Sequence, residues 1–325
     1  MPEWGLTEAQ IAIEPWGLSA ELLQPHKKVT DPVHGDIYLN VLEVAILDTA
    51  PMQRLRRVRQ LGTTHLVYPG ATHSRFAHTL GTLRAAQDLM DIALSQRYRP
   101  DHVPDLFGEW EDDQSIEYDL EVAKATVLAR LGALLHDLGH VPFGHTLEDD
   151  LRILEPHDRN EERYERFWNG IKADLKRRTD IVEDGIVLPE DLASQLKPLI
   201  ISKPKEPTIA EFLRGDGDFG EQWTDLFNDL ERHIDSEKQE LVLPLQMAES
   251  LQRLHVPNAD VDRSLREETY PFVTDIIGNT ICADLIDYLQ RDHLYTGIPA
   301  DLGRRFLDGF YVTRTTGSNE PKHMV

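Results

Sequence analysis

The sequence predicts a mostly α-helical fold with small β-hairpin and strand additions. Apolar residues recur at helical spacing in three long segments, at about 74–97, 119–137 and 272–292. Extended patterns are confined to residues 27–39 and to a short piece that begins at Phe310. We find no internal repeat and no low-complexity tract. These patterns together predict a helical domain that carries little β-structure.

The first elements are expected in the segment after the N-terminal residues. Two short strands around a turn are predicted over 27–39, where Asp31-Pro32 favours the turn. A helix is expected to begin at about Val41. Another helix is expected after it, because Pro51 is acceptable in a first helical turn.

The longer helices have recognisable ends. Ser74 can cap the first long helix, Gly139 can end the second, and Pro271 can introduce the third. In this third helix Asp284 is expected in the middle. Shorter helices are expected at 145–154, 158–176, 189–201, 222–234 and 244–254.

Composition indicates a soluble protein of a reducing compartment. The chain has 325 residues, of which 40% are hydrophobic, and no apolar run approaches the length of a membrane span, roughly 20 residues. The N-terminus lacks the pattern of a signal peptide. Cys282 is the only cysteine, so an internal disulfide is excluded. A cytoplasmic location is therefore expected.

The charge of the chain limits its partners. The formal net charge of −23 repels nucleic acid in general, so an extended nucleic-acid-binding surface is not expected. A phosphorylated substrate remains compatible, because a bound metal and a few arginines can reverse the field in one cleft. The run from Met52 to Arg59 is strongly basic and could supply such arginines.

The segment from 134 to 145 carries the strongest chemical pattern. His136 and Asp137 are adjacent at the predicted end of an apolar helix, and His140 follows four residues after His136. His145 comes next, across a Pro-Phe-Gly turn. Imidazole and carboxylate both suit a transition metal, whereas a buried aspartate without a partner would be unfavourable. We predict that metal ligands lie in this segment. The alternative is that the His-Asp pair occurs by chance and that the histidine is simply packed in the core.

Two further candidate ligands lie far away in the sequence. His78 is placed in the first turn of the helix that starts near Ser74. Asp284 has apolar neighbours, among which a carboxylate requires a partner. The predicted site holds one divalent metal ion, for which manganese, iron, zinc, nickel and magnesium are all considered. Its four ligands are His78, His136, Asp137 and Asp284.

The order of these residues resembles the His…His-Asp…Asp signature of the HD-domain superfamily. A narrower resemblance, to the deoxynucleoside triphosphate triphosphohydrolases of the type that also carries a sterile-alpha-motif domain, rests on Asp31-Pro-Val-His-Gly, Gln53-Arg-Leu-Arg, Gln60-Leu-Gly, Tyr68–Gly81, His136–His145, Asp284–Asp292 and Tyr295-Thr-Gly. It covers about residues 27–155 and 275–312 and implies the helical HD-domain fold. No sterile-alpha-motif domain is expected in the first 30 residues.

The resemblance also implies roles for individual side chains. The metal ligands would be the four residues named above. The catalytic residues would be His140, His145, Glu148 and His157. Histidine is the natural proton donor for phosphoester hydrolysis near neutral pH. For His157, a position in a surface loop without catalytic function is the alternative.

Further residues are implied to contact the nucleotide. They are Arg54, Arg56, Gln60, Leu61, Arg75, Tyr288 and Asp292. Tyr288 and Asp292 follow Asp284 at four-residue steps, which places them on one helix face. By resemblance, Tyr288 leaves little room for a 2′-hydroxyl and Asp292 accepts a hydrogen bond from the 3′-hydroxyl. The alternatives are a solvated face for the arginines and a core aromatic for Tyr288.

We therefore expect an N-terminal extension over 1–26 and an HD phosphohydrolase domain over 27–325, with a charged, poorly matching helical segment at about 158–270. The expected activity is metal-dependent hydrolysis of deoxynucleoside triphosphates to deoxynucleoside and tripolyphosphate. The alternatives are an HD phosphatase or phosphodiesterase acting on other nucleotides or short single-stranded DNA, and a catalytically silent nucleotide-binding HD module. The resemblance implies a homo-oligomer, and no membrane contact is expected.

Overall fold

The computed structural model describes residues 4–95, 116–201, 234–235, 240–241, 271–278, 281–299, 310, 312–314 and 322–324. The chain divides into two compact units, one of Met1–Ser202 with Thr269–Val325 and one of Lys203–Glu268. Among the described helices, none combines the length and the apolar character that crossing a membrane requires.

Helices dominate the described residues, which confirms the predicted fold class. They are α1 (Glu8–Ala12), α2 (Ala20–Leu23), α3 (Val41–Leu47), α4 (Ala50–Arg54), α5 (Arg75–Ser95), α6 (Ile116–Leu135), α7 (Glu161–Lys176), α8 (Glu190–Ile200), α9 (Pro271–Gly278) and α10 (Ala283–Thr296). The strands form three antiparallel pairs, β1 (Pro25–Asp31) with β2 (Gly35–Asn40), β3 (Ile234–Asp235) with β4 (Glu240–Leu241), and β5 (Val312–Arg314) with β6 (Lys322–Met324).

The core of the larger unit is built on α5 and α6, which pack against each other, while α10 packs on α5. Leu83 and Leu89 of α5 and Leu128 and Leu131 of α6 are at most 1% exposed. Burial of such side chains stabilises the fold by about 1.5–3 kcal/mol each. Because both long helices are anchored in this way, their ends are held in fixed positions.

The segment 1–26, predicted as an extension, contributes to the same core. Leu6, Ile11, Leu22 and Leu23 are buried in the main hydrophobic cluster, and α1 packs on α6. The hairpin predicted over 27–39 is present as β1 and β2, which supports α3 through the capping box of Asn40.

The prediction for the third long helix is corrected. The long helix predicted over 272–292 is two helices, α9 and α10, because the extended Cys282 (φ −139°, ψ 173°) precedes α10. Residues Gly278, Asn279 and Thr280 before it all have low helix propensity. Asp284 therefore lies in the first turn of a helix and not in its middle.

The helix predicted over 119–137 ends at Leu135, so His136 and Asp137 lie in the turn that follows. The helix predicted over 145–154 is a single π-turn, Thr146–Asp150. Helices over 161–176 and 190–200 confirm two of the shorter predictions. Apart from Ile234, the helices predicted over 222–234 and 244–254 lie outside the described residues.

Candidate metal centre

Four side chains from three places in the chain converge on one point. His78 comes from the first turn of α5, His136 and Asp137 from the turn after α6, and Asp284 from the first turn of α10. The Nε2 atoms of His78 and His136 are 3.2 Å apart, and Asp284 Oδ1 is 3.0 Å from His78 Nε2. Asp137 Oδ1 is 3.3 Å from His136 Nε2. The four predicted ligands are therefore brought together.

The hydrogen bonds behind the two histidines fix which ring nitrogen faces this point. The Nδ1 atom of His136 lies 2.7 Å from the carbonyl oxygen of Ala133, and Nδ1 of His78 lies 2.6 Å from Asp287 Oδ2. Both partners accept hydrogen bonds, so each Nδ1 carries its hydrogen. In a neutral ring Nε2 is then an acceptor. Two acceptors and two carboxylates that meet in this way favour a shared cation between them.

The donor set therefore fits a divalent metal, and its mixture of imidazole and carboxylate suits manganese, iron, zinc or nickel better than magnesium. The pKa of His78 also indicates that positive charge is stabilised at this point. Burial lowers the pKa of this imidazole, but the hydrogen bonds to Asp284 and Asp287 outweigh it and raise the pKa to about 10. A metal ion would take the place of that proton.

Arg75 is buried beside this point and pairs with one of the ligands. Its Nη1 lies 2.7 Å from Asp137 Oδ2, and the residue is 2% exposed. Burial raises the pKa of Asp137, but Arg75 and the neighbouring histidines hold it well below its usual range. Asp137 is therefore ionised and available as a ligand.

A buried charged network supports His78 from behind. Asp287 Oδ1 lies 2.7 Å from His34 Nε2 and 2.8 Å from Arg291 Nη2. Arg291 also donates to Asp31, with distances of 3.0 and 3.1 Å. These four residues were not identified from the sequence as functional. The available signal was the four-residue spacing of Asp287 and Arg291, which suits an ion pair on one helix face.

Close approach of the backbone makes room for this network. A Cβ atom on Gly81 would lie 1.8 Å from Asp287 Oδ1 and 2.4 Å from Arg291 Nη2. Only glycine leaves enough space for these two side chains against α5. The packing of α10 on α5 therefore depends on Gly81, one turn after His78.

A second group of side chains lies next to the metal ligands. The rings of His140 and His157 stack with centroids 3.4 Å apart, and His140 Nε2 lies 3.3 Å from Asp137 Oδ1. Glu148 Oε2 accepts hydrogen bonds from the backbone N–H and from Nδ1 of His157, both at 3.2 Å. Three of the four predicted catalytic residues therefore form one cluster that touches a metal ligand.

The charges of this cluster are set by its environment. Burial lowers the pKa of His140 to about 3, so its imidazole is neutral near pH 7. Burial raises the pKa of Glu148, but hydrogen bonds from His157 and Arg163 outweigh this and lower it to about 2. An ionised Glu148 therefore orients His157. Arg163, whose Nη1 is 2.6 Å from Glu148 Oε1, was not singled out from the sequence.

His145 is placed at the edge of this cluster. Its side chain is 59% exposed, and its ring centroid is 4.9 Å from that of His140. Its Nδ1 lies 2.8 Å from Asp149 Oδ2. The carboxylate that holds the ring of His145 is therefore Asp149, whereas Glu148 serves His157.

The predicted nucleotide contacts near the basic run differ in their surroundings. Both Nη atoms of Arg54 donate to backbone carbonyls of the turn after α6. Arg56 is exposed, lies 3.7 Å from the centre of the Phe76 ring and donates to Gln53. Gln60 has a buried Oε1 without a hydrogen-bond partner among the described residues, and Leu61 is half-buried.

The predicted sugar contacts lie on α10, as Asp284 does. Burial and the nearby carboxylate of Asp284 raise the pKa of the half-buried Tyr288. Asp292 Oδ1 lies 2.7 Å from Nε2 of His73, which also packs against the ring of Tyr295 at 4.6 Å. His73 was not identified from the sequence, and its buried Nδ1 has no hydrogen-bond partner in the part of the chain that the structure describes.

Comparison with known proteins matches the HD domain family model to residues 75–168. Deoxynucleoside triphosphate triphosphohydrolase SAMHD1 of Danio rerio is 32% identical over 202 residues, which are 58% of this chain and 29% of that protein. The Homo sapiens protein of the same name is 37% identical over 123 residues, 38% of this chain and 16% of that protein. An uncharacterized protein of Methanocaldococcus jannaschii is 39% identical over 122 residues, 38% of this chain and 21% of that protein.

The chain thus spans less than a third of the length of these relatives. The matched domain contains His78, His136 and Asp137, and α10 brings Asp284 to the same point. The matched sequence and the converging donor set support each other. Residues 75–168 thus match the HD domain family, and parts of the chain are similar to deoxynucleoside triphosphate triphosphohydrolases.

Proposed function

We propose that the chain hydrolyses deoxynucleoside triphosphates to deoxynucleoside and tripolyphosphate. The observation that carries the proposal is the convergence of His78, His136, Asp137 and Asp284, with the Nε2 atoms of both histidines turned inward. These four residues would hold one divalent metal. When bound, the metal would act as a Lewis acid and lower the pKa of water, so that water can lose a proton to solvent near neutral pH and attack phosphorus.

The reaction attaches the oxygen of water to the α-phosphorus and breaks the bond from that phosphorus to the 5′-oxygen. The 5′-oxygen leaves with the deoxynucleoside and needs a proton. His145 is the proposed donor, because its exposed ring lies 4.9 Å from that of His140 and its Nδ1 is held by Asp149. This hydrogen bond leaves Nε2 to carry the transferred proton.

The other residues near the metal ligands would bind the substrate or orient the ligands. His157, held by Glu148, and His140 would line the position of the α-phosphate. Arg75 keeps Asp137 ionised and in place. On α10, Tyr288 and Asp292 would meet the deoxyribose, one turn apart and beyond Asp284. Support for a deoxynucleotide comes from the names of the relatives as well as from these positions.

The remaining contacts of the protein are proposals as well. Arg56, Gln60 and Leu61 are proposed to contact the nucleotide from the segment before α5. The resemblance supports a homo-oligomer, and the single cysteine supports a cytoplasmic location.

Product analysis tests the proposed reaction. The protein is incubated with each of the four deoxynucleoside triphosphates and Mn²⁺, and nucleoside and tripolyphosphate are separated by chromatography. We expect equal amounts of the two products and none with Asp137→Ala. Release of pyrophosphate with a nucleoside monophosphate, or of inorganic phosphate alone, would assign a different substrate bond to the site.

A further inference from the structure

Two arginines from different helices hydrogen-bond to the part of the turn, residues 138–140, that follows the ligands His136 and Asp137. Arg54, at the end of α4, donates from Nη2 to the carbonyl of Leu138 at 2.7 Å and from Nη1 to that of His140 at 2.5 Å. Arg163, from α7, donates from Nη1 to the carbonyl of Gly139 at 3.3 Å. Three consecutive carbonyl groups are therefore bound by two guanidinium groups.

The position of this turn explains why arginine is used. The carbonyls of Leu138, Gly139 and His140 lie beyond the end of α6 at Leu135, and a hydrogen bond from a charged donor to such an oxygen is stronger than one from a neutral donor. The turn begins right after α6 and is buried from Asp137 to His140. Unpaired carbonyls here would be unfavourable. Arginine can satisfy two of them at once because its donors form a rigid fork.

Arg163 also binds the loop that carries His157. Its Nη1 lies 2.6 Å from Glu148 Oε1, and its Nη2 lies 3.1 Å from the carbonyl oxygen of Glu155. Glu148 in turn accepts both hydrogen bonds from His157. One guanidinium therefore connects the turn that carries His140 with the loop that carries its stacking partner.

The turn that carries His140 and the loop that carries His157 are packed closely together. A Cβ atom on Gly139 would lie 2.8 Å from the carbonyl oxygen of His157, and one on Gly144 would lie 2.6 Å from His140 Nδ1. Arg54 is itself fixed from the other side, with its guanidinium 4.1 Å from the centre of the Phe167 ring on α7. A change at either arginine would therefore move the stacked rings.

We propose that Arg54 and Arg163 are positioning residues that set the placement of the stacked His140–His157 pair. Arg54 would then act through the turn and not as a phosphate contact, which differs from the role that the sequence suggested for it. The inference rests on the proposed function, because it assigns these arginines to the same site. The central contact in this proposal is that of Arg163 on α7, whose guanidinium hydrogen-bonds both to Glu148 and to the carbonyl of Gly139.

Kinetics separate positioning from substrate binding. Arg163→Gln is expected to lower kcat by about 10–100-fold, as for a catalytic group displaced by roughly 1 Å, with KM within about threefold of wild type. Arg163→Lys restores the ion pair with Glu148 and should recover part of kcat. Arg166→Gln, the same change at an exposed arginine of α7, should behave like wild type.

Arg54→Lys keeps a positive charge but cannot bind two carbonyls with a rigid fork. If Arg54 is a positioning residue, this variant loses kcat at nearly constant KM. If it binds phosphate, KM rises while kcat is retained, and that result would overturn the proposal for Arg54. A kcat of Arg163→Gln within twofold of wild type would overturn it for Arg163.

Nitrogen NMR of the histidine side chains provides a measurement that needs no substrate. With ¹⁵N-histidine in the full chain, the signals of His140 and His157 are assigned from His140→Gln and His157→Gln. Arg163→Gln should shift both signals, whereas Arg166→Gln should shift neither. Unchanged signals would reject the proposal. Shifted signals in a protein without triphosphohydrolase activity would support the positioning role and reject only the proposed function.

Discussion

The carboxylate of Asp287 lies 2.6 Å from Nδ1 of His78, and both side chains are fully buried. This contact orients the imidazole so that Nε2 faces the other metal ligands. A carboxylate behind a ligating histidine also raises the basicity of that ligand. Arg291 and His34 hold Asp287 in place, so the orientation of His78 depends on residues of α10 and of the β1–β2 turn.

We predict that Asp287→Asn weakens metal binding by about 10–100-fold, as is typical when such a supporting carboxylate is lost. The amide can still accept the hydrogen bond from His78, but it carries no charge. Calorimetric titration of the metal-free protein with Mn²⁺ measures the effect. Asp88→Asn, which removes a half-buried ion pair with Arg84 on α5, away from the metal ligands, is the control. Equal affinities of the two variants would contradict the role of Asp287.

Asp137→Ala should abolish both metal binding and hydrolysis while the helices remain. Its carboxylate lies next to His136 and is held by Arg75, so a methyl group removes charge that the ion needs. The loss of the buried ion pair with Arg75 should also lower stability, by about 3–5 kcal/mol. Elemental analysis of the purified variant, together with circular dichroism, tests this. Full metal occupancy would show that Asp137 is not a ligand.

His145→Ala should keep the metal and lose most turnover, by roughly 10²–10⁴-fold, as expected for the loss of a general acid. The side chain is exposed, so its removal should change the melting temperature little. Single-turnover rates with a deoxynucleoside triphosphate measure the effect. Activity within a few-fold of wild type would assign proton donation to His157, since the neutral His140 has its pKa lowered to about 3 by burial.

Tyr288→Ala should admit ribonucleoside triphosphates while it only weakens turnover of the deoxy substrates. Tyr288 is half-buried near Asp284, so its ring can exclude a 2′-hydroxyl by volume. The ratio of the two rates, measured together with the melting temperature, tests this. A core aromatic would instead cost about 3–5 kcal/mol of stability, with an unchanged ratio. Such a result in a folded variant would exclude a sugar gate.

The positions of the main helices and of the candidate metal ligands followed from the sequence alone. Helical periodicity is a local property, so it located α5 and α6, and turn residues located the β1–β2 hairpin. The residue types of His78, His136, Asp137 and Asp284 limited the chemistry, because imidazole and carboxylate together are typical of a metal site. The helix boundaries followed less closely from the sequence. The break at Cys282 was missed because the apolar pattern continues across it.

Only the tertiary structure decided which groups support the site. Asp31 and His34 of the β1–β2 hairpin meet Asp287 and Arg291 of α10, and no local pattern predicts a contact between residues 260 positions apart. The same holds for Arg163, whose guanidinium joins a turn, a loop and Glu148 from three segments. Residue type determines what a side chain can do, whereas its hydrogen-bond partners are set by packing between distant segments, which is a property of the whole chain.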